Sequence, residues 1–542
     1  MKFDIKQSKV LVADDSRLVT SSVTTILRQV GFDKIYYAYK PFDAIYQCRQ
    51  IEFDLIICDY NFQTQLNGFQ LLEELKYSKT LSPHTVFMFL TGENEQKTVR
   101  SIVDSSPDDY LLKPFRKPFF MRRLKSTLKR KSALLPIYEK LYDFDYTGVV
   151  SRCDDLLPFH PEYSKLIRRY RAYALVQNRQ FALAATDYEY LLAETNADWC
   201  RTALANTLIE TGQIDRAHEI LSRVNNKQDN PYYHDEMSNI AAINEDLPKA
   251  IEHLKLSTML LDAGAERELV VTNLSLATAS YDDAVTYIKR YYDKNQNTFR
   301  GGIFTKLNYV RCYLYRAMNN ATAASFENLL FGLNPMILEL QKSGNLQVQS
   351  KLVTAHIAAI RGDLNTTVRE IKHVLSKHSL NHFYDLYHLC ILLEHCSFLN
   401  EVTSLLPKMR RTIASSQHPS IFRSQIHMLK SLETRLQQSQ LQVAEIRKDI
   451  LPLKAISKSA ISTHLDRYIR LHELLPNSKK ICLAIIRLAS QSPFEYKGKF
   501  EVYRKIDACD RVIKSLCDSD ELRHLNYLQI YKHAKDNIRV VA

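Results

Sequence analysis

The chain has 542 residues, too many for one compact core, and its 45% apolar and 25% charged composition excludes long disorder. Only 12 glycines and 16 prolines occur, which excludes a β-rich or linker-rich chain and favours helices joined by short turns. The formal charge of +13 is modest for this length and speaks mainly to solubility.

Residues 10–13, Val-Leu-Val-Ala, are the first expected strand, an apolar run suited to a central parallel position covered on both faces. It stops at Asp14 and Asp15. Ser16 then caps a helix with apolar positions Leu18, Val19, Val23, Ile26, Leu27 and Val30, closed by Gly31. A second strand is expected at 34–38, and Pro41 opens a helix through Ile51. The third strand, 55–58, ends in Asp59. A helix at 69–77 leads to a fourth strand, 86–90, which stops at Thr91, and a helix near 97–103 precedes a fifth strand, 110–112, which stops at Lys113. Five such alternations imply a parallel sheet with helices on both faces. Asp14, Asp15, Asp59, Thr91 and Lys113 then converge on the carboxyl edge of the sheet, where open α/β folds bind ligands. Adjacent carboxylates repel unless a cation relieves them, and three of them make a hard oxygen site suited to Mg²⁺.

These residues resemble the receiver domain of bacterial two-component response regulators, a flavodoxin-like fold, over roughly the first quarter of the chain. The resemblance implies that Asp14 and Asp15 help hold Mg²⁺, that Asp59 is the phosphoacceptor of a histidine kinase, and that the backbone carbonyl of Asn61 is a further metal ligand. It also implies that Thr91 and Lys113 contact the phosphoryl oxygens, and that Tyr110 is the aromatic that follows Thr91 inward on activation. Between Asp59 and Gly68 the chain reads YNFQTQLN, where receivers commonly carry a shorter loop, a departure that bears on partner choice and dephosphorylation rate. Glu93 is read as an acid favoured by a helix start.

From Lys113 to Lys131 nine cations occur without an acid, among them Arg122, Arg123, Arg130 and Lys131. A nucleic-acid face is one reading; an acidic partner or a domain contact is the favoured one, with Phe115, Phe119 and Phe120 packing on the sheet. Beyond residue 131 the pattern is helical throughout, and Leu134, Leu135 and Pro136 are expected to form a hinge. Ala184, Ala217, Ala250 and Ala284 recur at steps of 33, 33 and 34 residues, with Ala172, Ala205 and Ser238 upstream and Tyr188, Leu221, Leu254 and Ile288 downstream in phase. Each unit reads as helix, tight turn, helix, the small residues letting paired helices approach closely. The pattern resembles the tetratricopeptide repeat (TPR), with weaker matches at 319–324 and 362–371.

The expected organisation is a receiver at 1–131, a linker with the first helices at 132–160, TPR-like repeats at 161–380 and degenerate helical repeats at 381–542. His388, Cys390, His395 and Cys396 are expected to be core thiols and surface histidines, since one helix cannot present all four to one ion. Leu429, Leu432, Leu436, Val443, Ile446 and Ile450 keep a heptad seam, either a dimer coiled coil or solenoid packing. Ten singly placed cysteines, no long apolar leader and no apolar run of the ~18 residues a membrane span needs point to a reducing cytoplasm.

No helix-turn-helix, cyclase, phosphodiesterase, Walker or kinase signature is present, so no enzyme is expected and the output is protein contact. The combination resembles TPR-containing response regulators of the VieB type, which implies modulation of a sensor kinase or of phosphoryl flow to another regulator. A nucleic-acid-binding regulator and a phosphoryl sink without switched output remain the alternatives.

Overall fold

The computed structural model describes residues 4–64, 66–92, 106–261, 264, 266–320, 322–377, 380–413, 419–450, 452–494 and 499–539. The helix expected near 97–103, and Glu93, lie outside them. The chain divides into two compact units, one formed by Met1–Val271 with Asp293–Gly302 and the other by Thr272–Tyr292 with Ile303–Ala542.

The first unit opens with β1 (Lys9–Ala13), β2 (Lys34–Ala38), β3 (Leu55–Asp59), β4 (Val86–Thr91) and β5 (Asp109–Leu112), in the order β2-β1-β3-β4-β5. Every described pairing is parallel. Strand residues alternate between two apolar layers. Val10, Val12, Leu55, Ile57 and Met88 pack with Val23, Leu27 and Phe120, while Leu11, Ala13, Ile56, Cys58 and Phe89 pack with Leu71, Leu72 and Leu75. Both faces are covered, which is why these strands read as continuous apolar runs rather than alternating ones. Ser16 caps the Arg17–Val30 helix and Gly31 closes it at φ 106°, as the sequence predicts.

The expected hinge at 134–136 is absent. Residues Lys117–Tyr142 form one helix with Pro136 inside it, and Leu134 and Ile137 are buried against Val149, Cys153 and Ile167 of the following helices. The last helix on the sheet is therefore also the first of the helical array, because burial on both halves outweighs the break that a lone proline favours.

The array is a series of antiparallel helix pairs. Ala184, Ala217, Ala250 and Ala284 are all fully buried at the pair contacts. The turn between helices has a repeated geometry: Arg179, Gly212, Glu245 and Ala279 all have φ between 56° and 76° and precede the four alanines by the same step. After each, a backbone N–H reaches back to the carbonyl five residues earlier: Gln180 to Leu175, Gln213 to Leu208, Asp246 to Ala241, Ser280 to Ser275. This is the Schellman closure of a helix. The same turn recurs at Phe144, Gly362 and Ser397, where Val149, Thr367 and Val402 take the buried place of alanine. Paired-helix geometry thus starts before residue 161 and continues past 380, and larger side chains at the small-residue position hid it.

In the second unit the seam Leu429, Leu432, Leu436 and Val443 of the Pro419–Lys448 helix is buried within the chain, so its apolar repeat is solenoid packing and not a dimer coiled coil. Cys390 and Cys396 are core thiols as expected. His388 is not at the surface: it accepts from Arg311 Nε at 3.2 Å and lies 2.9 Å from His356, while Asp385 pairs with Arg311 and accepts from Gln349 at 2.7 Å. Burial drives the His356 imidazole down to about 3, so both rings are neutral hydrogen-bonding core groups.

Candidate phosphoacceptor site

β1 and β3 are neighbours whose crossovers run to opposite faces, and the crevice at their carboxyl ends is a topological switch point. Asp14 and Asp15 follow β1 and Asp59 ends β3. Carboxylate oxygens from the three lie within 4.8 Å of one another. Lys113, just past β5, reaches in from the other side, its Nζ donating to Asp14 Oδ2 at 2.6 Å and lying 3.2 Å from Asp59 Oδ1. Thr91 ends β4 fully buried, its carbonyl accepting from Lys113 N at 2.7 Å. Tyr110, beside Phe89 in the sheet register, is half-buried against the Cys58 layer. The structure thus brings Asp14, Asp15, Asp59 and Lys113 together, with Thr91 on the same edge and Tyr110 further into the sheet, level with Ala13, Cys58 and Phe89. Asn61 lies two residues beyond β3.

The backbone fixes the acids individually. Asp14 Oδ1 accepts from Ser16 N at 2.9 Å, Asp59 Oδ1 from Tyr60 N at 2.8 Å, and Asp15 Oδ2 from Gln63 N at 3.0 Å. Gly68 is required by close approach: a Cβ there would lie 2.3 Å from the Asp59 carbonyl oxygen. Burial pushes the Asp59 carboxyl up to about 6; Lys113 opposes the shift and Asp14 adds to it. Three close carboxylates, one of them reluctant to ionise, fit a hard divalent cation better than they fit each other.

A folded-state value above the ordinary carboxylate value of 3.8 means that the ion-free native state holds a proton the unfolded chain has released, so stability from Asp59 falls as pH rises from about 4 through about 6. Ion-free wild type is therefore expected to lose on the order of 2 kcal/mol across that window relative to Asp59→Asn. Urea midpoints of the two proteins, measured with EDTA and with excess Mg²⁺, check this, and a gap independent of both pH and metal sinks it.

Residues 10–125 match the response regulator receiver domain family. Residues 10–125 are a receiver domain. Residues 175–240 match the tetratricopeptide repeat. The receiver is similar to chemotaxis protein CheY-3 of Vibrio cholerae serotype O1, with 26% identity over 136 residues, 25% of this chain and 95% of that protein. It is also similar to transcriptional regulatory protein ZraR of Salmonella typhimurium, with 29% identity over 124 residues, 23% of this chain and 26% of that protein. Among solved structures, the chemotaxis response regulator CheY4 of Vibrio cholerae shares 24% identity, covering 22% of this chain and 98% of that one, with a TM-score of 0.21.

The receiver's unusual loop exposes Asn61, Gln63 and Thr64 but is anchored by its apolar side chains. Tyr60, Phe62 and Leu66 are buried, in one apolar cluster with Leu261 and Tyr232 from the repeats. The following helix, Gly68–Tyr77, carries the rest of the attachment. Arg300 forms a two-pronged ion pair with Glu73 at 2.8 and 3.0 Å, and Gln70 Nε2 donates to the Lys294 carbonyl at 2.7 Å. Phe299 N donates to Glu74, and the Phe299 ring stacks on Tyr77 with centroids 3.9 Å apart. Sequence reading missed these residues because the partners of the Gly68–Tyr77 helix stand more than 220 positions from the residues they contact and no local pattern marks them.

Three of the cations flagged in the basic stretch are likewise used internally. Arg123 pairs with Asp109, Lys131 holds Asp108 at 3.0 Å, and Arg130 donates to the Asp108 carbonyl. Among the described residues, no helix is long and apolar enough to cross a membrane.

Proposed function

We propose that the protein is a phosphorylation-switched binding protein of a two-component pathway in the cytoplasm, in which Asp59 takes a phosphoryl group from a histidine kinase and thereby controls access of a signalling partner to the helical repeats. The observation that carries this reading is the path out of the pocket. The chain leaving Asp59 runs through Tyr60, Phe62 and Leu66 into the Gly68–Tyr77 helix, and that helix is held by Lys294, Phe299 and Arg300 of the repeat region. No catalytic output is needed in this account.

Asp59 acts as the nucleophile: its carboxylate oxygen bonds to phosphorus as the donor's P–N bond breaks, and the departing imidazole keeps that electron pair. Lys113, already against Asp59, neutralises charge on the transferred group. Asp14, Asp15, Asp59 and the Asn61 carbonyl would hold Mg²⁺, which supplies further positive charge to the phosphoryl oxygens. Once formed, the acyl phosphate carries about one more negative charge than the carboxylate and adds acceptor oxygens. Thr91 donates to one of these, and Tyr110 fills the space it leaves. These shifts act on β4 and β5 and on the loop after β3, so the contacts of the Gly68–Tyr77 helix are strained or released.

The test is amide hydrogen exchange on the full chain with Mg²⁺ and a small phosphodonor. Faster exchange over Gly68–Tyr77 and Asp293–Gly302 in wild type, and none in Asp59→Asn, is the expected result. Unchanged exchange in fully phosphorylated wild type removes the switch and leaves the phosphoryl-sink reading.

A further inference from the structure

His472, near the end of the Ile461–Leu474 helix, Cys482 in the Lys479–Ala489 helix and Cys509 in the Lys499–Leu516 helix bring one nitrogen and two sulfurs within 4.8 Å of one another. Both cysteines have no solvent exposure, His472 has 6%, and neither thiol is in a disulfide. Neither ring nitrogen of His472 has a hydrogen-bond partner of normal geometry. A buried imidazole ordinarily secures at least one, because nothing else compensates its lost hydration. The Cys482 thiol is the group beside the ring, and Cys482 and Cys509 share one apolar core with Leu465, Ile469, Ile485, Ile486, Val502 and Ile506.

We propose that these three side chains form a zinc site that ties three successive helices of the second unit together. Thiolate and imidazole are the donors of structural and catalytic zinc sites, and bonds of about 2.3 Å to sulfur and 2.0–2.1 Å to nitrogen place tetrahedral donors ~3.5–3.8 Å apart. The trio is therefore at most about an ångström wider than a loaded site, a closure that side-chain rotation supplies. Charge selects the ion. Two thiolates, one neutral imidazole and Zn²⁺ sum to zero, which suits a dry apolar core, whereas Cu⁺ on the same ligands leaves a net buried charge. Binding displaces one proton from each thiol to solvent, and the ring binds as the neutral base. The Pro476 carbonyl, which accepts from Cys482 Sγ at 3.6 Å, is an oxygen donor beside the trio, and water is the other candidate for a fourth place.

The spacing has no CxxC pair and spreads its donors over three helices, so nothing in the sequence marked it. It also stands apart from the receiver pocket in donor chemistry, oxygen there and sulfur with nitrogen here.

The experiment uses the full chain, reduced and freed of metal, with excess Mg²⁺ to occupy the carboxylate pocket, titrated with Co²⁺ and then Zn²⁺. The expected result is a thiolate-to-cobalt charge-transfer band saturating at one equivalent, displaced by Zn²⁺, together with a higher Tm for the zinc form. Cys482→Ser and Cys509→Ser should weaken the band at least tenfold and His472→Gln should shift it, while Cys390→Ser, at another buried thiol, leaves it intact. Should the cysteine variants fold poorly, the wild-type titration still decides. No charge-transfer band in wild type, a band unaffected by these variants, or a Cys482–Cys509 disulfide that persists under reduction each overturns the proposal.

Discussion

Asp59→Asn is expected to reduce phosphoryl uptake from a small phosphodonor in Mg²⁺ to background, a loss of at least about a hundredfold, because an amide oxygen carries neither the charge nor the nucleophilicity of a carboxylate. Lys113→Met is expected to be roughly 10²-fold slower but to keep a rate above the Asp59→Asn background, the usual scale for removing one group that stabilises developing charge. It should also shift the pH dependence. The Lys113 ammonium lies 3.2 Å from Asp59 and holds its carboxyl below the value that burial alone would set, so at limiting Mg²⁺, where the ion-free pocket dominates, the carboxylate of the variant is available only at higher pH. The rate in the variant should therefore recover partly as pH rises, whereas that of Asp59→Asn should not. Mass measurement of the intact chain with time, at several pH values, reads both. If Asp59→Asn still gains a phosphoryl group, the nucleophile is another residue and the pocket has been misassigned.

The pocket was legible in the sequence because its members are fixed to strand ends, and strand ends are where apolar runs stop. Val10 to Ala13 announces Asp14, and Leu55 to Cys58 announces Asp59, before any fold is known. The repeat was legible for a similar reason: Ala184, Ala217, Ala250 and Ala284 are the same buried position read four times. What failed were judgements about single residues. Pro136 reads as a break, yet Leu134 and Ile137 on either side are buried, and tertiary packing overrides the local signal. His388 is expected at the surface, but Arg311 and His356, distant in sequence, supply the hydrogen bonds that let it be buried. Turn residues such as Glu245 and Ala279 hid a left-handed conformation that glycine would have advertised. Partnerships between distant segments leave no trace in a local pattern, and the attachment of the receiver is of that kind.

That attachment yields the second large effect. The Arg300 and Glu73 side chains are only 18% and 25% exposed, so breaking the pair strands a mostly buried charge rather than a solvated one. The Glu73 carboxyl makes the point, since burial raises it although Arg300 pulls it down. A loss of about 2 kcal/mol on Arg300→Glu or Glu73→Arg, between the values for exposed and buried pairs, multiplies the population with the Gly68–Tyr77 helix released by roughly 30. Either single variant should then show, without phosphodonor, the hydrogen exchange over Gly68–Tyr77 that wild type shows only when phosphorylated. The double variant, Glu73→Arg with Arg300→Glu, restores opposite charges and should recover part of the protection; Glu266, 3.3 Å from the Arg300 guanidinium, limits the recovery because it faces the new acid. Phosphoryl uptake should change by less than about threefold in all three, since none of these side chains is in the carboxylate pocket. If the single variants lose protection yet phosphorylation still adds the full wild-type increment, attachment and phosphorylation act independently and Asp59 does not signal through this helix.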